Sequence, residues 1–300
     1  MNKFKNFLID AISVKQGAMS LLKGFSPVLP ITMIGLTVIG AAQAQELDQT
    51  RDDVVKVRVF QAAGPNGDSI QSTITEFRNA LGDNNGITTV PPVTPLTTGR
   101  REINWDGGST ANTTTTLTQT PVLDQFLFGR GARSTTPGSG FVQAPASGLA
   151  DVFENPSYAA IFKPFSLQRL FSPIGSNVTD QLFFVPGHGD EQPATTRGFG
   201  VVFSDIDLPD GSGPGEKEGN RHASTLIEFY GANDDLLFSG FAPASPGDGN
   251  LSFFGIIFDD ARIARVRIIA GVTPGVDDTR RVDVVMMDDF ITASRNALTD

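Results

Sequence analysis

The amino-acid sequence predicts an all-β protein, a jelly-roll-like antiparallel β-sandwich with one helix packed against it. Three observations support this fold class. Short apolar segments recur between residues 197 and 292, turn-forming residues end each of them, and one earlier segment has helical periodicity. Several segments of strand length at short spacing are typical of a sandwich or barrel. They are GFGVVFSDIDL, STLIEFYG, LLFSGF, LSFFGIIF, IARVRIIAG and VDVVMMDDFI.

The N-terminus has the pattern of a secretory signal peptide. Lysines lead into an apolar run from Val28 to Ala42, and the residues Ala42 to Ala44 form a small-x-small cleavage signal. A membrane anchor is the alternative, but a spanning helix needs roughly 20 apolar residues and this run is shorter. We therefore expect cleavage before Gln45 and a secreted or periplasmic protein, with no membrane span in the mature chain.

The first elements of the mature chain are predicted to be a strand and a helix. Valines at positions 55, 57 and 59 alternate with basic residues, as in a half-buried strand. Asp68 or Ser69 can cap the start of the following helix, and Gly82 suits the position after its end. Spacings of four, three and four residues place the apolar side chains on one helix face: Ile70, Ile74, Phe77 and Leu81.

The middle of the chain has weaker signals. Residues 83–122 have the composition of loops, and residues 121–173 contain many Phe among Gly, Ser and Pro. We expect irregular strands there, with one short helix or turn near residues 155–161. The segment NVTDQLFFV, residues 177–185, predicts a strand that leads into the C-terminal set.

These patterns predict one folded domain. The chain divides into a signal peptide (1–44), a lead and strand (45–66), a single β-sandwich domain (67–293) and a tail (294–300). All-β domains of this size are common, and no fixed-period repeat is present. A two-part organisation with a boundary between residues 120 and 175 is the alternative, because the composition changes there.

Composition excludes several function classes. The chain has no cysteine, which removes cysteine nucleophiles and thiolate metal sites. Its formal net charge is −10, from 33 acidic and 23 basic residues, and no basic run is present. Nucleic acid is therefore not expected as a partner, whereas cations are favoured.

Several sequence segments carry a family resemblance, among them FRNALG, GRREINWDGG, FVQAP, GFGVVFSDID, STLIEFYGANDDLLFSGF, LSFFGIIFDDARIARVRI and VVMMDDFI. The chain resembles a widespread group of uncharacterised secreted bacterial proteins, and its C-terminal part is similar to the jelly-roll modules of PEP-CTERM-type exported proteins. The resemblance implies export and a sandwich fold but assigns no activity. A PEP-type sorting tail is not found at the end of this sequence.

Acidic residues at strand ends predict a calcium site. Asp205, Asp207 and Asp210 lie in one short segment, and alternation along a strand directs the first two to the same side. Asp288 and Asp289 follow the last apolar run, and a neighbouring strand would add them to the site. Calcium prefers several hard oxygen ligands, so these five residues are the candidate ligands for Ca²⁺. A solvated acidic turn is the alternative.

Alternation also predicts that one of Asp288 and Asp289 points inward. A buried carboxylate is costly unless it meets a cation or hydrogen-bond donors. Arg265 and Arg267 are the candidate partners if no metal binds.

The loop INWDGG contains the candidate glycan site. Sugar rings stack on exposed aromatic side chains whose polar tips stay in water. Trp105 is the only tryptophan, with Asn104 and Asp106 beside it as candidate partners for sugar hydroxyls. The alternative is that Trp105 fills one end of the sandwich, since tryptophan is highly buried on average.

We therefore expect a secreted, non-catalytic binding or structural module, stabilised by calcium, whose partner is an extracellular glycan or a cell-surface component. The alternative is a carboxylate-based enzyme resembling a glycoside hydrolase, because acids are abundant and their separation is not given by sequence. No G-x-S-x-G motif is present to indicate a serine hydrolase.

Overall fold

The computed structural model describes residues 56–89, 96–107, 114–188, 191–208, 225–279 and 282–298. The predicted signal peptide, 1–44, lies outside these residues. The elements in chain order are β1 (Val57–Gly64), α1 (Gly67–Leu81), β2 (Arg100–Ile103), β3 (Thr116–Thr118), β4 (Val122–Leu123), α2 (Leu127–Arg130), β5 (Ala132–Thr135), β6 (Gly140–Ala144), α3 (Ala146–Val152), α4 (Tyr158–Ile161), β7 (Leu170–Ile174), β8 (Val178–Phe183), β9 (Ala194–Thr196), β10 (Gly198–Ser204), β11 (Leu226–Tyr230), β12 (Leu236–Phe241), β13 (Leu251–Phe258), β14 (Arg265–Ile269), β15 (Met286–Ala293) and β16 (Arg295–Ala297).

Two antiparallel sheets form the sandwich. The first has eight strands in the order β1-β13-β10-β15-β7-β6-β3, with β2 also paired to β15. The second has six, in the order β12-β11-β14-β8-β5-β4, and β9 pairs separately with β16. Between β7 and β15 the chain passes repeatedly from one sheet to the other, as in a jelly roll. The predicted all-β sandwich is confirmed, and each of the six predicted C-terminal segments contains a strand.

The two sheets differ in how many faces they bury. Every residue of β10, β13 and β15 is buried, because helices cover the outer face of the first sheet while the second sheet covers the inner face. The strands β8, β11 and β14 of the second sheet alternate between buried and half-buried residues. A strand that is buried on both faces is expected to have a continuous apolar sequence, as β10 and β13 do. A strand that is buried on one face is expected to alternate, as β8, β11 and β14 do.

Helix α1 packs against the outer face of the first sheet through its predicted apolar face. Ile70, Ile74 and Phe77 have no exposed surface, and Gly82 ends the helix with a φ of 101°. The cap at the start was predicted wrongly, because Asn66 occupies the N-cap position and its side chain accepts from the backbone N–H of Ser69. The short helix or turn predicted near residues 155–161 is present as α4, and the same part of the chain also contains α2 and α3, which were not predicted.

A bulge in β15 changes which side chains face outward. Val201 of β10 pairs with Phe290 and Phe203 pairs with Met287, so the residues 288–289 stand opposite the single residue Val202. A bulge of this kind disrupts the simple alternation of side chains along a strand. Two consecutive acidic residues can therefore share one side of the sheet.

Candidate functional site

Four aspartates meet where strands of the first sheet begin and end. Asp205 and Asp207 follow Ser204, the last residue of β10, whereas Asp278 and Asp283 lie in the segment before β15. Ser204 pairs with the first residues of β13 and β15, so the end of β10 lies beside the starts of both strands. We call Asp205, Asp207, Asp278 and Asp283 the strand-end cluster.

Backbone N–H groups hold each carboxylate of the strand-end cluster. Asp283 accepts hydrogen bonds from the backbone N–H of Asp207 at 3.2 Å and of Leu208 at 3.1 Å. These bonds tie the segment after β10 to the segment before β15. The other acceptors and their backbone donors are Asp207 Oδ1 with Gly247 (2.8 Å), Asp205 Oδ1 with Gly249 (3.1 Å) and Asp278 Oδ1 with Val284 (2.9 Å).

Asp205 is the unusual member of the cluster. The residue is 1% exposed, and its backbone has the left-handed conformation with a φ of 73°, which Asp tolerates better than most residues. Its Oδ1 accepts from Gly249, but its Oδ2 is buried without a hydrogen-bond donor among the described residues. Buried polar atoms nearly always have a partner, so this oxygen calls for one.

Burial makes negative charge unfavourable in the strand-end cluster. Burial, and next the charge of Asp278, raises the pKa of Asp205 to about 8. Burial also raises the pKa of Asp283 to about 8, although two backbone N–H groups oppose the shift. Burial is also the main reason that the pKa of Asp278 rises to about 6. Without a counter-charge, Asp205 and Asp283 retain protons near neutral pH, and a bound cation would displace them.

The donor set of this cluster suits a hard cation. All its ligand atoms are oxygens, and Ca²⁺ accepts six to eight carboxylate, carbonyl and water oxygens in flexible geometry. Among the described residues, no three Asp, Glu or His side chains are already arranged around one point as metal ligands. A cation here would therefore draw the carboxylates closer together and complete its shell with carbonyl groups and water.

The sequence identified half of this cluster. Asp205 and Asp207 lie together as predicted, and Asp210 is outside the described residues. The prediction that Asp288 and Asp289 join them is wrong, although β15 does neighbour β10 as expected. The pairing register brings Asp283 to the end of β10 instead, and that residue was missed. Its position as the one acidic residue inside the apolar run VDVVMM was the available signal, whereas Asp278 looked like an ordinary turn residue.

Asp288 and Asp289 belong to a second buried cluster on the side of the first sheet that α1 covers. They lie inside β15, at its bulge, and are 0% and 2% exposed. Both carboxylates reach the same hydroxyl of Ser166, so the prediction that one points inward and the other outward is wrong. Ser166 Oγ lies 2.5 Å from Asp289 Oδ1 and 3.5 Å from Asp288 Oδ1 and from Asp106 Oδ2. We call Asp106, Asp288, Asp289 and Ser166 the bulge cluster.

Backbone hydrogen bonds from the segment 165–169 stabilise two carboxylates of the bulge cluster. Asp288 Oδ2 accepts from the backbone N–H of Phe165 at 2.6 Å and of Ser166 at 3.3 Å. Asp106 Oδ1 accepts from the backbone N–H of Gln168 at 3.1 Å and of Arg169 at 2.9 Å. The carboxylates therefore fasten this segment to the sheet.

Helix α1 supplies the cation of the bulge cluster. Arg78 Nη2 lies 3.2 Å from Asp289 Oδ2 and 2.6 Å from Glu102 Oε2. The predicted partners, Arg265 and Arg267, bind Asp180 on the second sheet instead. Burial, and then the charge of Asp289, raises the pKa of Asp288 well above its usual range. Burial likewise raises the pKa of Asp289, and Arg78 opposes that shift.

Trp105 lies inside the sandwich and is 1% exposed. Its ring stacks on Phe171 with centroids 3.7 Å apart, and the edges of Phe126 and Phe290 meet it at 5.4 and 4.9 Å. The predicted exposed platform is therefore wrong, and the alternative of a core-filling tryptophan is what the structure contains. Asn104 is exposed, whereas Asp106 is 4% exposed and bound to backbone N–H groups.

Within the described ranges, no helix is long and apolar enough to cross a membrane. No protein-family model, no curated protein and no solved structure matches this chain.

Proposed function

We propose that the protein is a non-catalytic binding or structural module whose sandwich is stabilised by a calcium ion bound at the strand-end cluster. The single observation that supports this most is the Oδ2 atom of Asp205, buried without a donor beside three other carboxylates. A cation would give this oxygen a partner and offset the repulsion among the four acids.

The position of the cluster explains what calcium would stabilise. Its residues come from the segment after β10 and from the segment before β15, and the loop 247–249 donates to two of them. Segments far apart in sequence would thus share one ion at the end of the first sheet. A ligand that binds the folded chain and not the unfolded one raises stability by mass action.

The chemistry favours calcium over other metals. The cluster contains neither His nor Cys, the ligands that favour zinc and copper. Mg²⁺ requires near-ideal octahedral geometry, whereas Ca²⁺ adapts to irregular oxygen cages. Extracellular calcium modules bind with dissociation constants of about 0.1–1 mM, and an exported chain in this range would be occupied where calcium is millimolar.

Thermal unfolding of the purified chain tests the proposal. We expect calcium to raise the Tm relative to a chelator, with magnesium giving a smaller effect. Asp205→Asn removes one carboxylate ligand and should abolish the calcium response while leaving the chelated protein folded. The matched control is Asp260→Asn, because Asp260 is an exposed strand-end acid that pairs with Arg262. Its calcium response should equal that of the parent chain.

Equal Tm values in calcium and in chelator would overturn the proposal. So would an Asp205→Asn variant that responds to calcium as strongly as the parent chain. Isothermal titration calorimetry with calcium chloride alone gives the stoichiometry, which we expect to be one ion at this cluster.

The other expected functions gain less support. A glycan role through Trp105 loses its argument because the ring is covered by Phe171. A two-carboxylate glycosidase needs its acids on opposite sides of an open cleft. Asp106, Asp288 and Asp289 surround one serine hydroxyl in the interior instead. We therefore do not propose an enzyme.

A further inference from the structure

We propose that Arg101, Arg130 and Arg295 form a binding site for a small oxyanion, separate from the strand-end cluster. Arg101 lies in β2, Arg130 ends α2 and Arg295 begins β16. The shared chemistry of the ligand is a carboxylate, sulfate or phosphate group, which the planar guanidinium binds through paired hydrogen bonds.

The side chains of Arg101 and Arg295 meet the backbone on either side of Arg130, whose charge acts on Arg101. The carbonyl groups of Gly129 and Gly131, on either side of Arg130, accept from Arg101 Nη1 at 3.3 Å and from Arg295 Nε at 3.4 Å. Both donors are buried, with 4% and 1% of the residue exposed. Arg130 is half-buried, so it gives a ligand access from solvent.

Acceptors of the protein satisfy only part of this donor set. Arg295 also donates to the carbonyl of Ala293 at 2.5 Å, and its guanidinium lies 4.5 Å from the ring centre of Phe183. Nevertheless, Arg295 Nη2 and Arg130 Nε are buried without an acceptor in the part of the chain that the structure describes. Each of these orphaned cationic donors points to a missing acceptor.

The positive charges of these three arginines also lack a carboxylate partner among the described residues. None of the ion pairs among the described residues includes any of the three arginines. The charge of Glu102 acts on Arg130, but Glu102 already binds Arg78 and Arg100. Buried charges are normally paired, so three guanidinium groups with no carboxylate contact call for an anion.

The direction of the arginine pKa shifts agrees with this geometry. Burial, and then the charge of Arg101, lowers the pKa of Arg295 to about 9. Burial and the charge of Arg130 lower the pKa of Arg101 as well. Repulsion between the arginines contributes to both decreases in pKa. A bound oxyanion would offset this repulsion and raise the pKa values again.

Calorimetry and thermal unfolding of the full chain in chelator test this site without interference from calcium. The probes are sodium sulfate, sodium phosphate and sodium glucuronate, each compared with sodium chloride at equal ionic strength. We expect saturable binding of at least one probe and a rise in Tm. Sulfate and phosphate together would indicate an inorganic ion or phosphoryl group, and glucuronate alone would indicate a sugar carboxylate.

Arg130→Gln separates binding from general salt effects, because sulfate stabilises many proteins by exclusion from their surface. Loss of one charge-assisted contact should weaken binding about tenfold or more. The control is Arg262→Gln, at an exposed arginine paired with Asp260, which should bind like the parent chain. In chloride, Arg130→Gln should be at least as stable as the parent, because it removes repulsion with Arg101.

Two results would overturn the site. One is the absence of saturable binding for all three probes. The other is an Arg130→Gln variant that is destabilised equally in chloride and in the oxyanions, which would make Arg130 a structural residue.

Discussion

The indole Nε1 of Trp105 donates a 3.0 Å hydrogen bond to the backbone carbonyl of Asp288. This bond joins the loop after β2 to the bulge of β15. A bulge leaves backbone groups outside the regular ladder, and a buried carbonyl without a donor is costly. Trp105 thus fills the core and also donates the hydrogen bond that the buried carbonyl of Asp288 needs. This double role explains why an amphipathic ring occupies the interior.

Fluorescence tests the position of Trp105 directly, because this residue is the only tryptophan of the chain. We expect emission from the folded protein at shorter wavelength than from the protein unfolded in urea, and weak quenching by acrylamide. A buried ring surrounded by Phe side chains is shielded from water and quencher. Folded protein that is quenched as readily as the urea-unfolded chain would contradict the buried position.

The ion pair between Arg78 and Asp289 should couple helix α1 to the first sheet. Arg78→Gln leaves Asp289 buried without its cation, and breaking a buried pair from one side costs about 3–5 kcal/mol in fully buried cases. Arg78 keeps 21% of its side chain exposed and Glu102 shares it, so we expect about 2 kcal/mol. Asp289→Asn in the same chain should restore part of this loss.

A double-mutant cycle measured by urea unfolding checks the coupling. The comparison pair is Arg262 and Asp260, whose exposed contact should contribute about 0–1 kcal/mol. Additive effects of Arg78→Gln and Asp289→Asn would show that the two side chains do not stabilise each other.

Local sequence patterns determined the predictable part of the fold. The face of α1 follows from apolar spacing alone, since Ile70, Ile74 and Phe77 are separated by four and three residues. The C-terminal strands follow from apolar runs between turn residues. The N-cap was misassigned because Asn66 precedes two other residues that can also cap, Asp68 and Ser69, and only geometry selects one of them.

The candidate site depended on information that single segments do not contain. Whether Asp283 or Asp288 reaches Asp205 is decided by the register between β10 and β15, which the bulge alters. The buried arginines were missed for a related reason. An isolated arginine in a sequence looks solvent-exposed, and Arg101 and Arg295 come together only through pairing of distant strands.

The bulge cluster should make stability depend on pH in a direction opposite to that of ordinary salt-bridged acids. Burial, followed by the charge of Asp289, raises the pKa of Asp288, and the charge of Asp106 adds to the shift. The folded chain therefore holds a proton that the unfolded chain releases above the ordinary value of 3.8. Stability due to this group is present at low pH and is lost as pH rises toward the folded pKa.

Asp288→Asn isolates this effect in urea unfolding at pH 5 and pH 8, with chelator present throughout. The free energy of unfolding of the variant, relative to the parent, should increase with pH by at most about 1.4 kcal/mol per unit. Asp260→Asn is the control, because Arg262 lowers the pKa of Asp260 and its contribution is lost only as pH falls. An Asp288→Asn difference that is the same at both pH values would mean that Asp288 is already ionised in the folded protein.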